Sequence, residues 1–180
     1  VITEADLIAF YVPMHTATRI AGQFIPRVRS INPNAYLCAY GLYAPLNADY
    51  LRGLGVTTIL GGEFEEGLVA VYRQLVAGAM IADATSISEI SLARQIFLTP
   101  DRSGLPHLSK YAYLNRVDGC KKVVGYTETT RGCKHLCRHC PIVPVYNGQF
   151  LVVQFDVVVN DIEQQMEAGA GHITFGDPDF

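Results

Sequence analysis

Val123-Val124-Gly125-Tyr126-Thr127 runs straight into Arg131-Gly132-Cys133-Lys134-His135-Leu136-Cys137-Arg138-His139-Cys140-Pro141, a strand signal followed by cysteines at C-x3-C-x2-C spacing. Three thiolates so close together can hold one polynuclear metal centre. A four-iron cubane normally takes four thiolates, so a loop with three leaves one iron without a protein ligand and open to a small molecule.

Downstream of the loop, the segment from Asp156 to Ala168 places Val158, Ile162 and Met166 four apart, which is the period of a helix. Gly169 and Gly171 end it, and His172 to Phe175 reads as another strand. The order strand, metal loop, helix, strand is expected to close as a right-handed parallel crossover, the way an α/β barrel begins. In such barrels the functional loops leave the carboxyl ends of the strands, so the cysteine loop and Gly176-Asp177-Pro178 should be neighbours in space. Glycines at Gly132 and Gly176 let the backbone approach a ligand, and loop amides can donate to cluster sulfurs. Asp177 reads as a turn residue or as a cofactor contact. Asp156 and Asp161 most simply serve the helix start.

Upstream, residues 7 to 78 alternate short apolar runs with helix-period segments, the pattern of a parallel sheet covered by helices. Leu7 to Val12 is continuously apolar, as in a strand buried on both faces. Ile20, Phe24, Ile25 and Val28 share one helical face, with Pro26 expected to kink or shorten the helix and Asn32-Pro33 to end it. Ala35 to Tyr40 is the next strand. Asn47 is placed to cap a short helix that stops at Gly53 and Gly55. Val56 to Leu60 is a third strand, followed by Gly61-Gly62 and a helix from Glu63 to Val76 with Phe64, Leu68, Val71, Tyr72 and Leu75 on one face. Glu63, Glu65 and Glu66 fall in its first turn, where negative charge interacts well with the helix dipole. Residues 79–121 show weaker periodicity and read as a linker, with short strands or turns expected near Ile96 to Leu98. The expected division is 1–78, 79–121 and 122–180.

The whole chain sets bounds on function. At 180 residues and 49% hydrophobic content it has enough apolar material for one good core or two small ones. Its 14 basic and 17 acidic residues leave a formal charge of -3 with no basic block to neutralise a phosphate backbone, which argues against nucleic acid as a partner. No apolar run approaches the roughly 20 residues that span a bilayer, so no membrane partner is expected. Five cysteines, three of them clustered, fit metal ligation in a reducing, cytoplasmic compartment better than a disulfide framework. Cys38, in an apolar run, reads as a buried inert thiol. Cys120, in Asp118-Gly119-Cys120-Lys121, could be an ordinary thiol, a metal ligand or a redox thiol. The chain starts at Val1 without methionine and stops at Phe180 just after a strand signal, so it is expected to be a fragment of a longer protein.

Two other metal readings stay open. One is a zinc site, with His135, His139 or Cys120 as fourth ligand, although paired ligand knuckles are missing. The other is a ferredoxin-like electron carrier, which would need a fourth thiolate that only distant Cys120 could supply. His15, His107, His135 and His172 read as hydrogen-bonded or surface side chains.

Cys133, Cys137 and Cys140 at this spacing, after a strand and before a helix, resemble the radical S-adenosylmethionine superfamily. That resemblance implies that the three cysteines ligate a 4Fe-4S cluster and that His139, just before the third cysteine, packs near the adenine of S-adenosylmethionine. It also implies that Gly176-Asp177-Pro178 takes the place of the family's Gly-Gly-Glu motif, which helps hold the methionine amino group, although the letters differ. The reaction implied is reductive cleavage of S-adenosylmethionine to a 5'-deoxyadenosyl radical, which abstracts hydrogen from a substrate. A small-molecule or peptide substrate and a reductant such as flavodoxin or ferredoxin are the implied partners.

The first half, with Thr16 and Thr18 after the first strand, Asn32-Pro33, and Leu60-Gly61-Gly62-Glu63 after the third, resembles the cobalamin-binding Rossmann-like domain of one large radical S-adenosylmethionine class. A ligand there would lie beyond the carboxyl ends of the strands, near residues 13–18, 41–44 and 61–63. No Asp-x-His-x-x-Gly occurs; its usual place is upstream of Val1. Taken whole, the chain most resembles the subgroup named for a C-terminal CUAEP or CCAEP tail. The expected fold is thus α/β: a partial Rossmann-like parallel sheet, then the first βαβ unit of a (β/α) barrel. Two barrel strands cannot close a barrel, so the fragment alone is expected to turn over poorly.

Overall fold

A computed structural model describes residues 2–78 and 88–178 and divides the chain into two compact units. The first nine residues of the expected linker, 79–87, lie outside the described residues. The first unit is Val1–Ala93 with His135–Gly148, and the second is Arg94–Lys134 with Gln149–Phe180. Each unit therefore draws on two separate stretches of sequence.

In the first unit, β1 (Leu7–Tyr11), β2 (Tyr36–Tyr40), β3 (Thr58–Gly62) and β4 (Ser88–Ser91) form a parallel sheet in the order 1-2-3-4. Leu7 pairs with Tyr36, Cys38 with Thr58, and Gly62 with Ser91. Every residue of β3 is buried, as in a strand covered on both faces. The arrangement is a partial Rossmann-like sheet. Among the described residues its strand order runs in one direction without the reversal at which such sheets usually open a crevice.

Helix α1 (His15–Ile31) runs through Pro26 without ending there. Proline removes one N–H, and the helix bears that loss at a single position. The buried face is Thr18, Ala21, Ile25 and Val28, whereas Ile20 and Phe24 are half exposed, contrary to the apolar face expected from the sequence. The true stripe follows the 3-4-3 spacing and accepts a threonine, because the Thr18 hydroxyl donates to the Met14 carbonyl at 3.2 Å. At the helix end, buried Asn32 donates to the carbonyls of Ile2 and Ala5, each at 2.9 Å, and accepts from the Ala35 N–H at 3.0 Å. Arg29 donates to the carbonyls of Pro33, Ala35 and Gly55, all at 2.8 Å, so one cation serves three turn carbonyls.

Two short helices, α2 (Tyr43–Leu46) and α3 (Ala48–Gly53), flank Asn47. The sequence places Asn47 to cap α3, but its side chain does not do so; its amide turns back and donates to the Tyr43 carbonyl at 2.8 Å. Helix α4 (Glu65–Val76) buries Val71, while Tyr72, placed on the same face by the sequence, is exposed. Val12, Ile25, Leu37, Leu51 and Ile59 centre the core between α1 and the sheet. From the far stretch, α5 (Val143–Tyr146) joins this unit and packs on α2 and β3, with Val145 and Tyr146 buried.

The second unit holds a sheet ordered β5-β6-β9, made of β5 (Tyr113–Asn115), β6 (Lys121–Thr127) and β9 (His172–Phe175). β5 is antiparallel to β6, and β9 runs parallel to it with Val124 opposite His172 and Thr127 opposite Phe175. Between β6 and β9 lie a hairpin of β7 (Thr130–Gly132) with β8 (Phe150–Val152) and helix α6 (Phe155–Glu167). Strand, helix and parallel strand thus follow one another as expected, but the hairpin was not foreseen. Nor is Ile96 to Leu98 a strand. The Phe97 N–H donates to the Gln154 side chain at 3.3 Å, and the Gln154 amide donates to the Gln95 carbonyl at 3.1 Å, so a glutamine takes the place of a partner strand.

The interior of this unit is polar. The buried residues of α6 are Val158, Asp161 and Gln165, and Met166 is exposed. Asp161 does not serve the helix start; it pairs with Arg102, Nε to Oδ1 at 2.6 Å and Nη2 to Oδ2 at 2.9 Å. Gln165 accepts from the Tyr126 N–H at 2.8 Å and donates to the Tyr126 carbonyl at 3.0 Å and to Asp161 at 3.0 Å. An apolar-periodicity reading misses such a face because paired polar groups can be buried at little cost.

Among the described residues no helix is long and apolar enough to cross a membrane.

Candidate metal and cofactor site

The cysteine loop starts where β7 ends. Gly132 is buried at φ +74, a left-handed conformation that favours glycine and turns the chain out into the loop. Cys133, in the second unit, is half-buried. Cys137 and Cys140 belong to the first unit, the former exposed and the latter half-buried, and His139 between them is exposed. A succession of tight turns follows: the Cys140 N–H donates to the Cys137 carbonyl at 3.2 Å, and the Val143 N–H to the Cys140 carbonyl at 3.3 Å. Helix α5 then begins, and its Tyr146 N–H donates to the Ile142 carbonyl at 2.8 Å. Asn147, at φ 46, ends α5.

Tyr146 carries the anchor. Its hydroxyl donates to Glu63 Oε1 at 3.1 Å, and Glu63 is only 1% exposed. Glu63 was expected to sit in the first turn of α4 as a dipole partner. Instead α4 starts at Glu65, and the Glu63 N–H donates to the Ser91 carbonyl at 2.7 Å. Gly62, at φ +66 with no room for a Cβ beside the Ser91 carbonyl, makes the turn that sends Glu63 inward. A cleft of about 250 Å³ at this end of β3 is lined by Leu60, Gly61, Glu63, Phe64 and Ser91. Beside it the rings of Tyr11, Tyr40 and Phe64 cluster, Tyr40 to Phe64 at 4.9 Å and Tyr11 to Tyr40 at 5.2 Å, over the carboxyl ends of β1 and β2.

In the second unit, Gly176-Asp177-Pro178 leaves the carboxyl end of β9 beside the carboxyl end of its neighbour β6. Gly176 and Asp177 are half-buried and Pro178 is exposed. Asp177 Oδ1 accepts from the N–H and hydroxyl of Thr129 at 2.9 and 2.8 Å, and from the N–H and hydroxyl of Thr130, the latter at 2.6 Å. Burial opposes the Asp177 charge, but the hydrogen bonds from Thr130 and Thr129 outweigh it and hold the carboxyl below its ordinary value. Its other oxygen, Oδ2, is buried and has no hydrogen-bond partner among the described residues. The Tyr126 hydroxyl lies where a Cβ on residue 176 would have to go and donates to Glu128 at 3.0 Å. A separate cleft of about 200 Å³ is lined by Phe97, Arg102, Glu128, Arg131, Val153 and Val157.

Among the described residues, no three His, Cys, Asp or Glu side chains are grouped so as to hold a metal ion, and none of the cysteines is in a disulfide. The donor chemistry of the loop suits an iron-sulfur cluster, whose soft irons take thiolates. Asp177 Oδ2, a buried carboxylate oxygen lacking a donor, suits a cationic group. Cys38 is fully buried, and burial pushes its thiol up to about 12, as expected of an inert side chain. Cys120 is exposed at the turn between β5 and β6. Thr129, Thr130, Tyr126 and Tyr146 are site residues that the sequence alone does not point to, whereas Glu63 falls in the 61–63 strand-end segment read as a ligand region. The polar run Thr127-Glu128-Thr129-Thr130 at a strand end was the only sequence hint.

No family model and no curated protein matches the chain. Among solved structures it is similar to a radical S-adenosylmethionine methyltransferase, TsrM, from Kitasatospora setae, with tryptophan substrate and the SAM analog aza-SAM bound. The TM-score is 0.74 at 16% identity, covering 98% of this chain and 38% of that one. At such identity the likeness is one of fold, an α/β fold that the chain shares with rather more than a third of a much longer enzyme.

Proposed function

We propose that the chain is part of a radical S-adenosylmethionine enzyme, with a partial cobalamin-binding-like domain over 1–78, a linker over 79–121 and the opening of a (β/α) barrel over 122–180. The observation that carries the reading is a pair of neighbouring strand ends: β6 leads into the three-cysteine loop, and its parallel partner β9 leads into Asp177, one of whose buried oxygens has no hydrogen-bond partner among the described residues. The similarity in fold to a radical S-adenosylmethionine methyltransferase supports the same reading.

In this reading Cys133, Cys137 and Cys140 hold a 4Fe-4S cluster as thiolates and leave one iron without a protein ligand. The chemistry supplied by the bound cluster and S-adenosylmethionine is reductive cleavage of the sulfonium to a 5'-deoxyadenosyl radical. Asp177 Oδ2 receives the ammonium of the methionine moiety, while Oδ1 keeps the Thr129-Thr130 corner fixed. Gly176 and Pro178 shape the backbone beside it, and exposed His139 packs against the adenine. The carboxyl ends of β1 to β3 would take a cobalamin in support of methyl transfer. A small-molecule or peptide substrate, and flavodoxin or ferredoxin as reductant, complete the proposal.

Anaerobic reconstitution tests it. The expected result is about four irons and four sulfides per chain, and a reduced-state EPR signal that changes when S-adenosylmethionine is added. A single tetrahedral zinc, or a cluster spectrum indifferent to S-adenosylmethionine, would overturn it in favour of a metal-binding module without radical chemistry.

A further inference from the structure

Two backbone hydrogen bonds three residues apart, from the Cys140 N–H to the Cys137 carbonyl and from the Val143 N–H to the Cys140 carbonyl, lead from the cysteine loop into α5; there the Tyr146 N–H donates to the Ile142 carbonyl and the Tyr146 hydroxyl to Glu63. Both ends of this series lie in the first unit. A carboxyl group 1% exposed is costly to bury unless hydrogen-bonded, and the phenol that donates to it is itself 7% exposed. The turn at Gly62 and the bond from the Glu63 N–H to the Ser91 carbonyl fix where that carboxylate stands. Val145 is buried beside Tyr146, so α5, only one turn long, has packing as well as a hydrogen bond to hold it. A four-residue helix has almost no stability of its own, so its position is set by these tertiary contacts.

We infer that Glu63 and Tyr146 are positioning residues for the cysteine loop: the end of β3 sets the geometry of the turn that carries Cys137 and Cys140. The Glu63 carboxyl oxygen accepts the hydrogen bond of the phenol that fixes α5, and α5 fixes the Cys137–Cys140 turn, which ends three residues before it. The consequence for catalysis rests on the cluster-binding reading above, whereas the mechanical coupling does not.

The test separates the two. In the full 180-residue chain without metal, alkylation rates of Cys137 and Cys140 are compared with that of exposed Cys120 by mass spectrometry, alongside amide hydrogen exchange over residues 140–147. Tyr146→Phe should raise exchange over 143–146 and alter alkylation of Cys137 and Cys140 by roughly tenfold, the effect of losing one hydrogen bond to a charged group, with Cys120 unchanged. Glu63→Gln, whose amide oxygen still accepts from Tyr146, should stay within about twofold of the parent. Should Tyr146→Phe not fold because it takes a hydrogen bond from a buried carboxyl group, the double variant Glu63→Leu with Tyr146→Phe removes that group as well. Parent-like rates in the folded variant overturn the inference, and so does a change shared equally by Cys120 or a Glu63→Gln variant as perturbed as Tyr146→Phe. After reconstitution, Tyr146→Phe should shift the EPR signal of the cluster while Glu63→Gln should not. Failure of any cluster to form sinks the functional reading and leaves the alkylation result standing.

Discussion

Asp177 and Thr130 lie 47 residues apart in sequence, yet a single carboxylate oxygen takes both the backbone and the side-chain donor of that threonine. The contact ties the end of β9 to the start of β7, immediately before the cysteines. Asp177→Ala would leave the Thr129 and Thr130 N–H groups without their acceptor, at a cost of about 2–3 kcal/mol. A fall in the denaturant midpoint at unchanged m would confirm it.

The same residue sets an acid limit. Its carboxyl is held below the ordinary value by the threonine donors, against the opposing effect of burial. A carboxylate depressed on folding contributes stability that is fully present above its unfolded pKa of about 3.9 and is lost as pH falls through the folded value. The Asp177 carboxyl carbon should therefore titrate below the ordinary aspartate range by NMR, and Asp177→Asn should flatten the acid limb of the stability curve.

Arg102 and Asp161 predict a strong non-additivity. Asp161 has a side chain 4% exposed and, among the described residues, keeps the Gln165 donor alone once Arg102→Ala removes its cation, a loss of about 3–5 kcal/mol. The double replacement Arg102→Met with Asp161→Leu should cost clearly less than the sum of the single changes. Equal additive costs, by equilibrium unfolding, would show that the pair is not coupled.

Thiol chemistry should sort the cysteines by burial. With its pKa pushed up to about 12, Cys38 carries a thiolate fraction of about one in ten thousand at pH 8 and is shielded as well. In the native chain, iodoacetamide should modify Cys120 and Cys137 and spare Cys38 until denaturant is added, as read by mass spectrometry.

Gly176→Ala should drive the Tyr126 hydroxyl off its place and break its 3.0 Å bond to Glu128. The ring end can move, so the stability loss should be small, about 1 kcal/mol. The change in the reduced cluster's EPR signal on adding S-adenosylmethionine should be lost.

The strands and helices of the first half were legible because β1 to β3 are continuous apolar runs broken by turn residues, and local physics marks those strongly. What failed was anything carried by paired polar groups. The buried face of α6 runs through Asp161 and Gln165 rather than Met166, and neither letter signals burial without Arg102 and Tyr126 beside it. Ile96 to Leu98 has strand-like letters, but Gln154 took the role a neighbouring strand would have played. Ile20 and Phe24 are apolar and still face outward, since the seam of α1 is set by spacing against the sheet.

The candidate site divides in the same way. Spacing along the chain was enough to pick out Cys133, Cys137 and Cys140 as a thiolate set and Gly176-Asp177-Pro178 as a strand-end segment, because ligand type and turn chemistry are local properties. Only the tertiary structure decided that His135–Gly148 packs into the unit of Val1–Ala93, that Glu63 goes inward to Tyr146, and that Asp177 clamps two threonines with one oxygen and leaves the other buried and unpartnered. Burial and the matching of distant donors to acceptors depend on which segments meet in space, and no local spacing rule encodes that meeting.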